Sequence, residues 1–250
     1  MIAIMTSSLG GSRKIEGRRY PAPLMEENGL AEQIRQVWRE NARVLLISAS
    51  PEEHERNDSI LGCQREAFPM SGLAVKEFAL CDSRTEELVR GIDAFDVLVL
   101  AGGHVPTQNR FFEKLDLKRR LETFGGLLIA WSAGSMNCAE TVYAMPELEG
   151  EGVDPGYRRF LPGLGVTKHQ IIPHFQKAGT EMLDGLRVME DIAFPDSAGR
   201  EFIALNDGSY ILREENGQET LYGEAYRIRD GHIEQICGQG DKLRHSAILQ

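Results

Sequence analysis

The sequence predicts an α/β protein on a flavodoxin-like, doubly wound, mostly parallel sheet, with a C-terminal antiparallel β-meander at one edge. Three observations predict it. Apolar runs at 2–6, 44–48, 74–79, 97–101 and 127–131 are the strands that a sheet covered on both faces requires. Helix-period segments at 30–40, 60–68, 86–91, 108–124 and 134–141 alternate with them, and that rhythm selects right-handed parallel crossovers. The tail, 209–237, sets short apolar runs around Asn216-Gly217 and Asp230-Gly231, which are hairpin turn pairs.

In chain order, the strand at 2–6 runs into Ser7-Ser8-Leu9-Gly10-Gly11, and the basic cluster Arg13, Lys14, Arg18 and Arg19 reads as a solvated loop. The strand at 97–101 ends in Gly102-Gly103-His104, and the strand at 127–131 ends at Ser132. In a doubly wound sheet ligands sit beyond the carboxyl ends of the strands, so both ends fall on the functional edge. Residues 142–163, with Pro146, Pro155, Pro162 and several glycines, read as a flap. A strand-like segment at 165–173 then leads to His174. A helix near 181–190 follows, and a strand at 202–205 ends in Asn206-Asp207-Gly208. We read residues 1–250 as a single domain without internal repeats.

With 42% hydrophobic and 26% charged residues, the chain has the balance of a soluble globular protein. A net charge of −10 and a pI near 5.2 argue against a nucleic-acid partner, which needs a basic face. No apolar run reaches the roughly 20 residues of a membrane span, and no signal-peptide pattern opens the chain. The expectation is a cytoplasmic protein without a membrane partner. Cys63, Cys81, Cys138 and Cys237 are far apart and form no C-x-x-C pair, so they read as reduced, mostly buried thiols.

Residues 127–137, Leu-Leu-Ile-Ala-Trp-Ser-Ala-Gly-Ser-Met-Asn, carry the sharpest signal. An apolar strand enters a small-residue turn with Ser132 at its apex, the pattern of a nucleophile elbow. Ala130, Ala133 and Gly134 leave room for the bend. Alanine replaces the first glycine of G-x-S-x-G, so a helix N-cap serine remains an alternative. Nucleophilic catalysis also needs a base, an orienter for the base and oxyanion donors. His174 leaves a buried strand just after Pro173, Asp207 precedes Gly208, and Gly102 and Gly103 offer backbone N–H groups. Each has a bland reading, as structural histidine, turn aspartate or simple turn; their placement at successive strand ends favours a shared site.

These residues resemble the S51 peptidases, which include dipeptidase E and cyanophycinase. Trp131-Ser132-Ala133-Gly134-Ser135-Met136-Asn137 is similar to the family's G-W-S-A-G-A-N elbow, and Ile172-Pro173-His174-Phe175 to its N-P-H-F segment. Ala101-Gly102-Gly103-His104 is similar to its glycine-rich turn, and Asp207-Gly208 aligns with a carboxylate-glycine turn. The resemblance spans about residues 40–215 and implies a class I glutamine amidotransferase-like fold. It implies a serine peptidase with Ser132 as nucleophile, His174 as base, Asp207 as orienter, and the N–H groups of Gly103 and Ala133 as oxyanion donors. Gly102, His104, Trp131 and Asn137 would line the substrate site. The implied partner is a short peptide or small amide, with no cofactor and no metal, and a homodimer is left open.

Departures from the pattern narrow what carries over. Ala144 stands before Met145-Pro146 where dipeptidase E has an aspartate, which leaves Asp207 as orienter ahead of Glu147 or Asp154. The helix that holds arginines in dipeptidase E reads Thr180-Glu181-Met182-Leu183-Asp184 here, so selectivity for an N-terminal aspartate does not carry over. His104-Val105-Pro106-Thr107 replaces the family's Gly-Asn-Thr. Glu147, Glu149, Glu151 and Asp154 make the flap acidic; over the crevice it would favour a free N-terminal amine and an exopeptidase or dipeptidase, and the alternative is a solvated acidic loop far from the site. Two other functions stay in view: a non-catalytic, small-molecule-sensing member of the fold, and an FMN-binding flavodoxin, whose phosphate loop would have to be the loosely spaced Ser7–Gly11 stretch. A glutamine amidotransferase is disfavoured because its elbow needs cysteine.

Overall fold

The computed structural model describes residues 1–244. Its main sheet runs, edge to edge, β18 (Lys242–Arg244), β15 (Glu219–Tyr222), β14 (Tyr210–Arg213), β1 (Ile2–Thr6), β7 (Leu127–Trp131), β6 (Val97–Leu100), β4 (Ala42–Ile47) and β5 (Val75–Cys81). Strands β1, β7, β6, β4 and β5 are parallel, and β14, β15 and β18 join antiparallel beyond β1. Side-chain alternation divides the core between two faces. Ala3, Met5, Leu98 and Leu100 pack in one cluster, while Ile4, Val97, Val99 and Ile129 pack in the other. Helices α1 (Leu30–Val37), α2 (His54–Met70), α3 (Val105–Lys114) and α4 (Leu117–Leu121) supply apolar residues to these clusters. The expected doubly wound α/β architecture is therefore present.

A second sheet holds β10 (Gln170–Ile172), β13 (Glu201–Leu205), β16 (Ala225–Arg229) and β17 (His232–Cys237), with β10 and β13 parallel and the rest antiparallel. The tail thus divides instead of extending one edge only: β14 and β15 stay on the main sheet, and β16 and β17 cross to the second. Gly223 makes the crossing, at φ 86°. A Cβ there would lie 2.3 Å from Asn28 Nδ2, so only glycine fits.

Other local differences have local causes. The basic cluster lies on a hairpin, β2 (Gly10–Ile15) and β3 (Arg18–Leu24), not in a loop. The helix expected at 108–124 breaks into α3 and α4 because Asp116 turns left-handed at φ 52°. The helix expected at 134–141 ends early, as α5 (Ala133–Asn137). Within the flap segment, β8 (Thr141–Tyr143) pairs with β9 (Phe160–Pro162). After β10 comes α6 (Phe175–Ala178). In place of the helix near 181–190 stands a small hairpin, β11 (Met182–Leu183) and β12 (Leu186–Arg187), reversed at Asp184 and Gly185 with φ 54° and 80°. A π-helical turn, Val188–Ala193, and α7 (Phe194–Asp196) complete the segment. The four cysteines are free and buried. Among the described residues, no helix is long and apolar enough to cross a membrane.

Candidate active site

Ser132 directly follows the central strand β7, with φ 52° and ψ −120°. That conformation costs a non-glycine residue on the order of 1–3 kcal/mol and persists only where the surroundings over-determine it. Here they do. Ser132 N donates to Thr6 O (3.1 Å), Met136 N donates to Ser132 O (3.0 Å), and the buried Ser135 hydroxyl lies 2.8 Å from Thr6 O. Small residues are demanded by contact: a Cβ on Gly134 would lie 2.5 Å from Leu100 O, and one on Gly102 would lie 2.6 Å from Trp131 Nε1 and 3.1 Å from Ser132 Cβ. The glycine turn is thus pressed against the serine. Neither Gly103 N–H nor Ala133 N–H donates to a backbone carbonyl among the described residues.

His174 and Asp207 end the parallel neighbours β10 and β13, in which Ile172 pairs with Ala204. That register sets the two side chains together, with His174 Nδ1 2.6 Å from Asp207 Oδ1. Two residues complete the arrangement: Gln176, which the sequence does not single out, and Ser7, which it offers only as part of a possible phosphate loop. Ser7, at the end of β1, accepts from His174 N at 2.7 Å and donates to Asp207 Oδ1 at 2.8 Å. Gln176 Nε2 donates to Asp207 Oδ2 at 2.6 Å and its Oε1 accepts from Asp207 N at 3.1 Å. Burial opposes ionisation of Asp207, but the hydrogen bond and charge of His174, with Ser7 and Gln176, outweigh it and hold the carboxyl below its ordinary range. An ionised Asp207 favours the tautomer with the proton on His174 Nδ1 and leaves Nε2 as the unprotonated ring nitrogen. Among the described residues the His174 ring bonds Asp207, and no hydrogen bond joins it to Ser132. Serine-to-base bonds of this kind commonly tighten only with substrate. Asp154 is engaged elsewhere, accepting from Gly156 N at 2.8 Å.

Two residues expected to line the substrate site are structural instead. Asn137 is fully buried and its side chain is taken up by Val105 O, Gln108, Ala133 O and Asn109, so it ties α5 to α3. His104 Nε2 lies 2.9 Å from Glu151 Oε1 and its Nδ1 2.8 Å from Thr107 Oγ1, so it latches the flap. Glu151 Oε2 accepts from Glu147 N and Leu148 N, both at 3.0 Å. Asp184 fixes the same segment by accepting from Gly150 N and Gly152 N, both at 2.8 Å. The flap reaches the site: Met145, Pro146 and Glu147 share a cavity of about 270 Å³ with Met136, His174 and Leu183. Trp131 and Gly102 stay half-buried beside Ser132. Ser7 bonds His174 and Asp207, and Gly10 and Gly11 open the first hairpin, so the Ser7–Gly11 stretch does not form a phosphate loop.

Comparisons with known proteins agree with this geometry. A crystal structure described as a "Putative Peptidase E Protein from Listeria monocytogenes EGD-e" shares the fold, with a TM-score of 0.52, 12% identity, and coverage of 94% of this chain and 97% of that one. No curated protein sequence matches the chain. The model of Peptidase family S51 matches residues 24–221. That span is most of the 250 residues, and the chain therefore belongs to Peptidase family S51 and is a peptidase.

Proposed function

We propose that the chain is a serine exopeptidase or dipeptidase acting on short peptides through Ser132, His174 and Asp207. The observation that carries this reading is the 2.6 Å His174–Asp207 contact, tied by Ser7 to the carboxyl end of β1, the neighbour of the strand that ends at the strained elbow serine. His174 Nε2 takes the proton from Ser132 Oγ as that oxygen attacks the scissile carbonyl. The N–H groups of Gly103 and Ala133 receive the oxyanion, each worth about 3 kcal/mol in other serine enzymes. His174 then returns the proton to the departing amine, leaving an acyl group on Ser132. Water, deprotonated by the same histidine, hydrolyses the ester and restores the serine. This route uses no metal or cofactor. A small cavity walled by the flap supports short substrates over long ones.

A fluorophosphonate probe tests the reading, because an elbow serine with a base in reach attacks activated phosphorus. The expected result is a single adduct mapped to Ser132 and absent from Ser132→Ala. An adduct elsewhere, or none on folded protein, would assign the crevice to binding without turnover.

A further inference from the structure

Strand β4 runs out into Ser48-Ala49-Ser50, at the same carboxyl edge as the glycine turn that follows its parallel neighbour β6. The two turns touch. A Cβ on Gly103 would lie 2.7 Å from Ala49 Cβ and 3.7 Å from Ser50 Oγ, so Ala49 is the wall on which Gly103 rests. Beneath this contact lies a buried polar chain that the reaction described above leaves unused. Ser48, Asn57 and Asp82 are 2%, 3% and 0% exposed. Ser50 O and the Asp82 carboxylate, which Arg84 grips at 2.7 Å, only accept, so the Asn57 amide nitrogen faces them, at 2.9 and 3.4 Å. That orientation leaves Asn57 Oδ1 to accept from the Ser48 hydroxyl at 2.7 Å, and the Ser48 oxygen accepts in turn from Ser50 N at 3.0 Å. Both polar groups of the Ser50 backbone are therefore held by one chain with one arrangement. A satisfied buried network of this kind adds little stability over apolar packing but fixes a single geometry. The geometry fixed here is that of the turn against Gly103, and a misplacement of about 1 Å near a reacting centre costs about 10²-fold in rate.

We propose that Asn57 is a positioning residue for the reaction: through Ser48 and the Ala49–Ser50 turn it holds the glycine turn where Gly103 N–H meets the oxyanion. This rests on the Ser132 nucleophile and the Gly103 donor proposed above. Asn57, buried beneath the turn, acts only through it.

The test is the saturation kinetics of fluorophosphonate labelling at Ser132. The phosphoryl oxygen of the probe takes the place of the oxyanion, so the measurement reads the donors without the natural peptide. Asn57→Ala and Ser48→Ala should each lower the limiting labelling rate about tenfold or more, with the half-saturating probe concentration within about twofold of the parent. The double variant should be within about twofold of Asn57→Ala alone, because the same chain is broken only once. Ser71→Ala is the control. Ser71 is also buried, and its hydroxyl bonds Leu24 N and Ala67 O at the opposite end of α2, so its loss should lower Tm and leave the labelling rate unchanged. Where Asn57→Ala does not fold, Ser48→Ala, which deletes one hydroxyl, gives the result by itself. An undiminished limiting rate in Ser48→Ala or in folded Asn57→Ala, an equal loss in Ser71→Ala, or a change confined to the half-saturating concentration would overturn the proposal. In each of those cases labelling of the parent at Ser132 shows the nucleophile reading intact, whereas a parent without that adduct overturns both readings at once.

Discussion

The two sides of the candidate site are built by different means. On the main sheet Ser132 is held by backbone strain, in a turn fixed by the small residues around it and by hydrogen bonds to Thr6 and Met136. On the second sheet His174 and Asp207 are held by side-chain hydrogen bonds, and their nearness comes from the pairing of β10 with β13. Ser7 spans the two, since it ends a main-sheet strand and bonds both His174 and Asp207. A strained turn is written into a few consecutive residues. A hydrogen-bonded pair drawn from distant strands is written only into the register.

The contrast makes the serine the most sensitive position. Ser132→Ala should lower kcat by about 10⁴–10⁶, measured on a cleaved dipeptide, with the far-UV circular dichroism unchanged. A loss below about tenfold would place the nucleophile elsewhere and remove the meaning given to the strain. Asp207→Asn comes next, with an expected loss of about 10²–10⁴ in kcat, because the imidazole loses the acceptor that sets its tautomer. An unchanged rate in Asp207→Asn would show that the second-sheet pair is structural only.

The same contrast explains what the sequence disclosed. The elbow, the glycine turn and the two hairpin turn pairs were legible because each depends on neighbouring residues. His174 and Asp207 were named as candidates, but only the register of β10 against β13 brings them together. Gln176 carries no signal and Ser7 only a misleading one, as the start of a possible phosphate loop, since their role depends on how two sheets meet. Asn137 and His104 were expected at the substrate and instead act as struts, because burial and partners are not visible in a motif. The helix expected near 181–190 failed at Asp184-Gly185, a turn pair that its charged, helix-like surroundings concealed.

Ser7 offers a finer test of the join between the two sides. Ser7→Ala removes one acceptor from His174 N and one donor to Asp207 while leaving all three proposed catalytic side chains in place. A displaced base costs rate through geometry, and a loss of about 10–100-fold in kcat/KM is expected. Little change in the far-UV spectrum and a rate within twofold of the parent would show that β10 and β13 position the pair without help from the main sheet.

The smallest effect concerns stability and separates two carboxylates by sign. Asp207 is held below its ordinary range in the folded protein, so its stabilising contribution is present above the unfolded carboxylate range and is lost as pH falls. Glu147 behaves oppositely. Its folded value of about 7 lies above the ordinary 4.5, so between those limits the folded state binds more protons than the unfolded state, and stability falls as pH rises. The groups around it are Glu151, Glu181, His174 and Lys177, with Tyr157 also coupled to it. Glu147→Gln removes that charge, and because the side chain is solvent-exposed the rise in Tm at pH 8 should be small, about 1 °C or less, with no gain at pH 4. A lower Tm at pH 8 in Glu147→Gln would mean that the carboxylate already has a partner, and the contrast between the hydrogen-bonded acid and the exposed one would break.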